Sequence, residues 1–284
     1  MRLHLLQVGY GDDEPVAARR DRVAALVAAQ EGADLVVLPE LWAHGGFASA
    51  TWAERAEAPD GPTARAMADA ARACGAVVHA GSLVERDGDA LHNTSLLLGP
   101  DGALLARYRK VHRFGHGRGE SEVMTPGEEV VVVDAPLPGG PAGAPALPVD
   151  PGPAVERGLP VGLATCYDLR FPEMFRALLD RGARLVVVPA AWPAARAEHW
   201  RLLVRARALE DQVLLAACGT AGTHARTPMA GASAVVGPDG AVLAEAGEAE
   251  EVLVVDVDPG VVDAARAAFP VLADRRLGVA PPRR

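Results

Sequence analysis

Three residues of the sequence could together carry out nucleophilic chemistry, and each follows a strand-like run. Cys166 follows the apolar stretch 159–165, Glu40 ends a second apolar run, and Lys110 follows one strand of a predicted hairpin. A thiol with an ordinary pKa is mostly un-ionised at neutral pH, so it needs a base or a cation close by. A carboxylate, an ammonium and a thiol would supply the base, the oxyanion-binding cation and the nucleophile of an acyl transfer.

Each of these residues also has an interpretation without chemistry. Cys166 could be a small core residue, because free cysteine is among the most buried residue types. Glu40 could be a surface carboxylate, and Lys110 one member of a solvated basic run. A reactive thiol is favoured by the predicted helix that follows Cys166, since helix N-terminal amides favour a thiolate. The shared position at strand ends favours chemistry for all three, because catalytic groups of α/β folds gather there.

The elements that would position these residues alternate between strands and helices, in two similar halves. Each half closes on a hairpin with the turn Gly-Pro-Asp-Gly, at 99–102 and at 237–240. This repetition predicts an α/β protein whose two βαβ-rich halves pack sheet to sheet with helices outside, although a good turn can also recur by chance. The predicted strands are 3–8, 34–40, 76–83, 93–98, 103–108, 159–165, 184–188, 213–217, 232–236, 241–244 and 251–257. The predicted helices are 16–30, 63–74, 172–181 and 198–211, with a short one towards Phe269.

Composition narrows the classes of function. The 284 residues carry a formal charge of −9, and no basic stretch is interleaved with aromatic residues, so nucleic acid is not an expected partner. No apolar run is long enough for a membrane span, and the first residues lack a signal-peptide pattern, so we expect a cytoplasmic location. The three cysteines, Cys74, Cys166 and Cys218, are widely spaced, which predicts neither a disulfide framework nor a zinc site.

The domain organisation is predicted to be simple. We expect one domain over residues 1–284 with a short C-terminal tail, because α/β architectures of this length often form a single domain. Residues 134–160 are rich in proline and glycine and are predicted to form a long surface loop insertion. This loop could be disordered, cover the mouth of a pocket, or alter the packing between subunits, and a disordered or solvated segment fits its composition best.

The three candidate residues also carry a resemblance to a known family. Leu-Pro-Glu40, Tyr-Arg-Lys110-Val-His112 and Cys166-Tyr-Asp-Leu-Arg-Phe-Pro-Glu173 resemble the three signature blocks of the nitrilase superfamily of carbon–nitrogen hydrolases, in the right order. Other stretches are similar to the branch that holds ω-amidase and deaminated-glutathione amidase: Glu120-Ser-Glu-Val-Met-Thr-Pro-Gly127, Glu198-His-Trp200, Arg205-Ala-Arg207 and Phe-Pro-Val271.

The resemblance implies a four-layer αββα sandwich and a Glu-Lys-Cys triad at Glu40, Lys110 and Cys166. It implies no cofactor and no metal, and a homodimer or higher homo-oligomer. The family's second glutamate corresponds best to Glu120, with Glu122 as the competing position because the glycine-rich loop before it differs in length from relatives.

The function implied is a thiol-dependent amidohydrolase that converts a small linear amide to an acid and ammonia through a cysteinyl thioester. The Tyr167 backbone N–H would bind the oxyanion together with Lys110. Arg170 could clamp a substrate carboxylate, or only brace Asp168 or Glu173. Trp192 could line the pocket or belong to the core.

The same residues are compatible with other functions. The same triad would serve a hydrolase of N-carbamoyl amines or of aliphatic amides, whereas a true nitrilase agrees less well with the branch. A catalytically silent scaffold of the same fold is the non-enzyme alternative, and a redox-sensing Cys166 is another.

Overall fold

The computed structural model describes residues 1–139 and 158–277. The first half contains β1 (Arg2–Gln7), α1 (Val16–Ala28), β2 (Leu35–Val37), α2 (Ser49–Arg55), α3 (Pro62–Cys74), β3 (Val77–Asp87), β4 (Ala90–Leu98), β5 (Leu104–Arg109), α4 (Glu120–Val123) and β6 (Val131–Ala135). The second half contains β7 (Leu159–Leu163), α5 (Pro172–Asp180), β8 (Leu185–Ala190), α6 (Ala197–Asp211), β9 (Leu214–Gly219), β10 (Thr223–His224), β11 (Thr227–Pro228), β12 (Ala234–Val236), β13 (Val242–Glu245), β14 (Glu251–Asp256) and α7 (Val261–Ala268). Short 3-10 turns span Cys166–Arg170, Ala194–Arg196 and Val271–Asp274.

Two six-stranded mixed sheets form the centre of the fold. The first has the order β14-β1-β2-β3-β4-β5 and the second the order β13-β12-β9-β8-β7-β6. Helices α1 and α3 pack together over the first sheet, and α5 and α6 pack together over the second. The arrangement is a four-layer αββα sandwich, as predicted.

Alternation along the strands explains these layers. In β1, Leu3 and Leu5 belong to the apolar cluster between the two sheets, whereas Leu6 belongs to the cluster beneath α1 and α3. The same alternation separates Val37 from Val36 in β2. Because successive side chains point to opposite faces, a strand of consecutive apolar residues is suited to a sheet covered on both faces.

The two halves repeat one topology, and their matching turns coincide in detail. In each half three parallel strands continue into two antiparallel ones, β1-β2-β3 into β4 and β5, and β7-β8-β9 into β12 and β13. Gly102 has φ +75° and Gly240 has φ +76°, a conformation that glycine adopts without a steric penalty. The predicted pseudo-symmetry is confirmed by this correspondence.

Several predicted boundaries were wrong, and some elements were missed. Strand β3 is longer than predicted and continues to Asp87, where a tight turn leads into β4. Strand β6 and helix α2 were not predicted at all. The segment 134–160 is not a loop throughout: β6 and β7 pair from Val131 with Leu163 to Ala135 with Leu159, so its ends lie in the second sheet. The centre of that segment, 140–157, lies outside the described residues.

Within residues 1–139 and 158–277, no helix is both long enough and apolar enough to cross a membrane.

Candidate active site

A buried cluster of charged and amide side chains lies where the two sheets meet. Lys110 Nζ is 2.7 Å from Glu40 Oε1 and 2.7 Å from Glu120 Oε2. Asn93 Nδ2 donates to the same two carboxylates, at 2.8 Å to Glu40 and 2.6 Å to Glu120. Lys110, Glu40 and Glu120 are at most 4% exposed. We call this cluster, together with Cys166, the floor of the site.

Glu40 is fixed by its position just beyond β2. Its second carboxylate oxygen, Oε2, accepts a hydrogen bond of 2.9 Å from the backbone N–H of Ala191, which follows β8 in the other sheet. The next residue, Leu41, has φ +46° and donates its N–H to Ser82 Oγ. A left-handed backbone costs a non-glycine residue about 1–2 kcal/mol, so the surrounding contacts hold the chain in this turn.

Lys110 follows β5 and is held by the neighbouring strand and loop. Its backbone N–H donates to Asn93 O at 2.8 Å, and its carbonyl accepts from the N–H of Gly127 at 2.9 Å. Two residues earlier, the buried Tyr108 donates its hydroxyl to Asp168 Oδ2 in the other half at 2.7 Å. The ammonium therefore occupies a fixed position between the two carboxylates.

Cys166 stands at a sharp turn between β7 and the 3-10 turn that it begins. Its φ is +46°, again in the left-handed region. Thr165 and Asp168 form a capping box around it, with the Thr165 N–H donating to Asp168 Oδ2 at 2.8 Å. Asp168 also accepts from the backbone and the ring of His112. These bonds hold the thiol at the end of the strand, on the cavity wall beside Glu40 and Lys110.

The pKa values describe the resting state of the floor. Burial raises the pKa of the Cys166 thiol well above its usual value, and the neighbouring Glu40 carboxylate raises it further, although Lys110 opposes both. The expectation that helix amides favour a thiolate concerns a separate contribution and stays a prediction, while loss of hydration and the carboxylate act in the opposite direction. Burial alone would lower the pKa of Lys110, but Glu120 and Glu40 raise it well above its usual range. Both shifts favour the protonated forms, a neutral thiol at Cys166 and an ammonium at Lys110.

The two candidate second glutamates differ clearly in their surroundings. Glu120, at the start of α4, is buried and bonds Lys110, Asn93 and the backbone N–H of Phe114. Glu122 is exposed to solvent. Burial raises the pKa of Glu120 and Lys110 opposes this shift.

A cavity of about 940 Å³ opens above the floor and is lined by Glu40, Lys110, Glu120 and Cys166. Its outer part, which we call the mouth, contains aromatic and basic side chains: Phe47, Phe114, His116, Arg118, Tyr167, Arg170, Trp192, Arg196 and His199. Within the described residues, no acidic side chain other than Glu40 and Glu120 lines this cavity. The mouth is therefore basic, although the whole chain is acidic.

The three residues predicted to bind substrate all line the mouth. Tyr167 packs edge to face with Phe114, at 5.4 Å between ring centroids. The Arg170 guanidinium lies 5.0 Å from the centre of the Trp192 ring. Trp192 is only 3% exposed and also contacts the core residue Trp200, so it both lines the pocket and packs in the interior.

The structure does not pair Arg170 with Asp168 or Glu173, the two carboxylates that it was suggested to brace. Among residues 1–139 and 158–277 no carboxylate pairs with Arg170, and its Nη2 lies 3.3 Å from His199 Nδ1. Asp168 is instead occupied by Tyr108, His112 and the Thr165 backbone.

Two contributors to the floor were missed from the sequence. Asn93 links both carboxylates, and the only local signal was a run of polar residues, 92–95, inside an otherwise apolar strand. Ala191 contributes a backbone N–H, and its side-chain type gives no sign of this role in the sequence. In the described ranges, no group of three or more histidine, cysteine or acidic side chains is arranged to hold a metal ion.

Comparison with known proteins identifies the family. Residues 5–267 match the family model described as Carbon-nitrogen hydrolase. The chain belongs to the carbon–nitrogen hydrolase family. As such it is a hydrolase acting on carbon–nitrogen bonds other than peptide bonds, within the nitrilase superfamily.

The relatives of this carbon–nitrogen hydrolase fall in the predicted branch. It is 36% identical to a 2-oxoglutaramate amidase from Paenarthrobacter nicotinovorans, over 96% of this chain and 89% of the relative. It is 34% identical to an omega-amidase from Xenopus laevis, over 88% of this chain and 85% of the relative. A variant of the amidase from Nesterenkonia sp. AN1, with covalent addition of the acetamide moiety of fluoroacetamide at its active-site cysteine, is 28% identical, with a TM-score of 0.77 and 96% coverage of both chains.

Proposed function

We propose that this carbon–nitrogen hydrolase cleaves small linear amides to a carboxylic acid and ammonia through a thioester on Cys166. The observation that carries the proposal is the ammonium of Lys110, held 2.7 Å from both Glu40 and Glu120 on the cavity wall that Cys166 shares. This arrangement combines a nucleophile, a carboxylate base and a cation in one cavity. The cysteine adduct of the Nesterenkonia amidase supports a nucleophilic role for the matching thiol.

The first step is attack by the thiol on the amide carbon. Because burial keeps the thiol neutral, Glu40 takes its proton as the Sγ–carbon bond forms, and the carbonyl π electrons move to oxygen. Lys110 and the Tyr167 backbone N–H stabilise the resulting oxyanion. Tyr167 is suited to this role because the first N–H groups of a helical turn have no partner within it.

The second stage releases ammonia and then the acid. Glu40 returns its proton to the nitrogen, the carbon–nitrogen bond breaks, and the acyl group remains on sulfur as a thioester. Glu40 then takes a proton from water, whose oxygen attacks the thioester carbon, and the thiol leaves with that proton. Glu120 orients the amide and keeps Lys110 in place through its 2.7 Å contact.

The substrate we propose is an ω-amide that also bears a carboxylate, such as a 2-oxo acid amide. The basic mouth supports this choice, because Arg170 offers a planar, permanently charged group suited to a carboxylate. The name of the Paenarthrobacter relative, a 2-oxoglutaramate amidase, points to the same class. We further propose that the protein acts in the cytoplasm and as a homodimer.

Covalent labelling of the thiol tests its reactivity, and ammonia release tests the hydrolysis. The wild-type protein and the Cys166→Ser and Cys74→Ser variants are incubated with fluoroacetamide and with a panel of amides, and adducts are measured by intact mass and ammonia by coupled assay. We expect wild type and Cys74→Ser, whose altered residue is half-buried at the end of α3, to form the adduct and release ammonia. Cys166→Ser should do neither, because the nucleophile is lost.

Two results would overturn the proposal. One is ammonia release by Cys166→Ser at the wild-type rate. The other is a wild type that hydrolyses N-carbamoyl amines in the panel but none of the simple amides, which would assign the same residues to a different leaving group.

A further inference from the structure

The mouth of the cavity contains two guanidinium groups that share one aromatic residue. Trp192 lies against Arg170 through its ring, with 5.0 Å between the guanidinium carbon and the ring centre. The same tryptophan donates its indole N–H to the backbone carbonyl of Arg196 at 2.8 Å. Trp192 therefore fixes the position of one arginine side chain and the backbone of the other.

Arg196 is held over a second aromatic ring. It ends the 3-10 turn Ala194–Arg196, and its guanidinium carbon lies 5.9 Å from the centre of the Phe114 ring. In the ranges that the structure describes, neither Arg196 nor Arg170 forms an ion pair. Contacts with an aromatic face leave the N–H groups at the edge of a guanidinium free to donate.

The floor and the mouth differ in what they can accept. An anionic group near the floor would face two carboxylates, Glu40 and Glu120, against one ammonium, Lys110, and like charges in a buried site repel. The mouth has no acidic lining residue within the described part of the chain. A carboxylate in this cavity is therefore more stable at the mouth than at the floor, with the scissile amide at the other end of the same molecule.

We infer that Arg196 is a specificity-determining residue, which binds the anionic end of the amide substrate together with Arg170, while Trp192 sets the spacing between them. The inference rests on the proposed function and adds to it a second anion-binding residue outside the family's signature blocks. It also places the amide at one end of the substrate and the carboxylate at the other.

A pair of matched amides measures this selectivity. The half-amide of glutaric acid and pentanamide have the same chain length and differ in the terminal carboxylate. We expect wild type to prefer the half-amide, and Arg196→Gln to lower the ratio of kcat/KM between the two by about tenfold, a loss typical of one charged hydrogen bond. The change should be in KM for the half-amide, with kcat little altered, and raising the salt concentration should weaken the wild-type preference.

Two further variants separate specific from general effects. Arg65→Gln removes the same charge from the exposed face of α3, outside the cavity lining, and should keep the wild-type ratio. Trp192→Phe retains a ring but loses the N–H that holds Arg196, so we expect a smaller fall in the ratio than in Arg196→Gln.

The outcomes distinguish this inference from the proposed function. If wild type hydrolyses both amides but Arg196→Gln leaves their ratio unchanged, or if wild type shows no preference, the role of Arg196 is wrong and amide hydrolysis stands. If wild type hydrolyses neither amide and forms no adduct at Cys166, the proposed function fails and this inference fails with it.

Discussion

The floor and the mouth of the cavity are built in opposite ways. On the floor, Glu40, Lys110 and Glu120 are almost wholly buried, and each of these three side chains bonds another part of the site. At the mouth, Arg118 and Arg196 are exposed and belong to a loop and a 3-10 turn. The floor is fixed by strand ends from both sheets, whereas the mouth depends on a few aromatic contacts.

This difference separates chemistry from selectivity. A buried charge without a partner is strongly destabilising, so every change on the floor should affect both activity and stability. A change at Arg118 or Arg196 alters an exposed group, whose contribution to stability is small. The comparison therefore predicts large, coupled effects at one end of the cavity and small, substrate-dependent effects at the other.

After loss of the Cys166 thiol, the largest expected effect concerns Glu120. Both carboxylate oxygens of Glu120 accept hydrogen bonds, one from Asn93 and the other from Lys110 and the Phe114 N–H. In Glu120→Gln the side-chain NH₂ group therefore faces another donor whichever way the amide is turned. We expect kcat to fall about 10²-fold, a loss typical of misplacing a catalytic group by about 1 Å. Steady-state kinetics on the half-amide of glutaric acid measure it.

Glu122→Gln is the matched control, because it makes the same chemical change two residues away at an exposed site. It should retain wild-type kinetics and a free energy of unfolding within about 0.5 kcal/mol of wild type. Equal losses in the two variants would contradict the distinction between buried and exposed glutamates.

A smaller effect is expected from Gly46→Ala. A Cβ at Gly46 would lie 2.5 Å from the Cβ of Ala191, whose N–H donates to Glu40. We expect the resulting shift to lower kcat about tenfold and the free energy of unfolding by about 1–3 kcal/mol, the range for overpacking. Gly11→Ala, where a Cβ would meet nothing within 4 Å, should change neither. Wild-type kcat in Gly46→Ala would show that the Ala191 contact does not position the base.

The smallest expected effect is on stability and lies outside the cavity. His79 in β3 is fully buried, neither ring nitrogen has a hydrogen-bond partner in the described part of the chain, and burial lowers its pKa from 6.5 to about 3. The unfolded chain therefore binds a proton below pH 6.5 that the folded chain excludes until about pH 3, so stability falls as the pH drops through this window.

His79→Leu should remove that loss. We expect the difference in free energy of unfolding between His79→Leu and wild type to be about 2 kcal/mol larger at pH 5 than at pH 8, in favour of the variant. Activity should be retained. Urea unfolding at both pH values measures the difference, and His116→Leu at an exposed position is the control. If the variant and wild type differ in free energy of unfolding by the same amount at pH 5 and at pH 8, the predicted effect of His79 is refuted. The result bears on the comparison with the floor, because His79 is buried without hydrogen bonds whereas Glu40, Lys110 and Glu120 are buried with them.

Much of the fold could be predicted from local sequence patterns. One feature that could not be predicted in this way is a pairing between strands that are distant in the sequence. Apolar runs and the repeated turn indicated both halves and their pseudo-symmetry. The pairing of β14 with β1 joins the end of the second half to the first sheet, and no local signal encodes it. Strand β6 was missed because its apolar run borders the proline-rich segment, which dominated the interpretation of that region.

The candidate site shows the same limit. Glu40, Lys110 and Cys166 were found because strand ends concentrate such groups, and the structure brings all three to one cavity. The bonds from Asn93 and the Ala191 backbone were not found, since they depend on how the strands lie side by side. The raised pKa of Cys166 also could not be inferred, because burial of the thiol is a property of the folded molecule.

The division of the floor between the two sheets has a consequence for folding. Glu40 and Lys110 follow strands of the first sheet, Cys166 and Ala191 follow strands of the second, and 126 positions of chain separate Glu40 from Cys166. Contacts over such separations form late, because closing a long loop costs entropy before the contact stabilises anything. Return of turnover during refolding would thus time the docking of the two sheets, whereas circular dichroism would follow their separate formation.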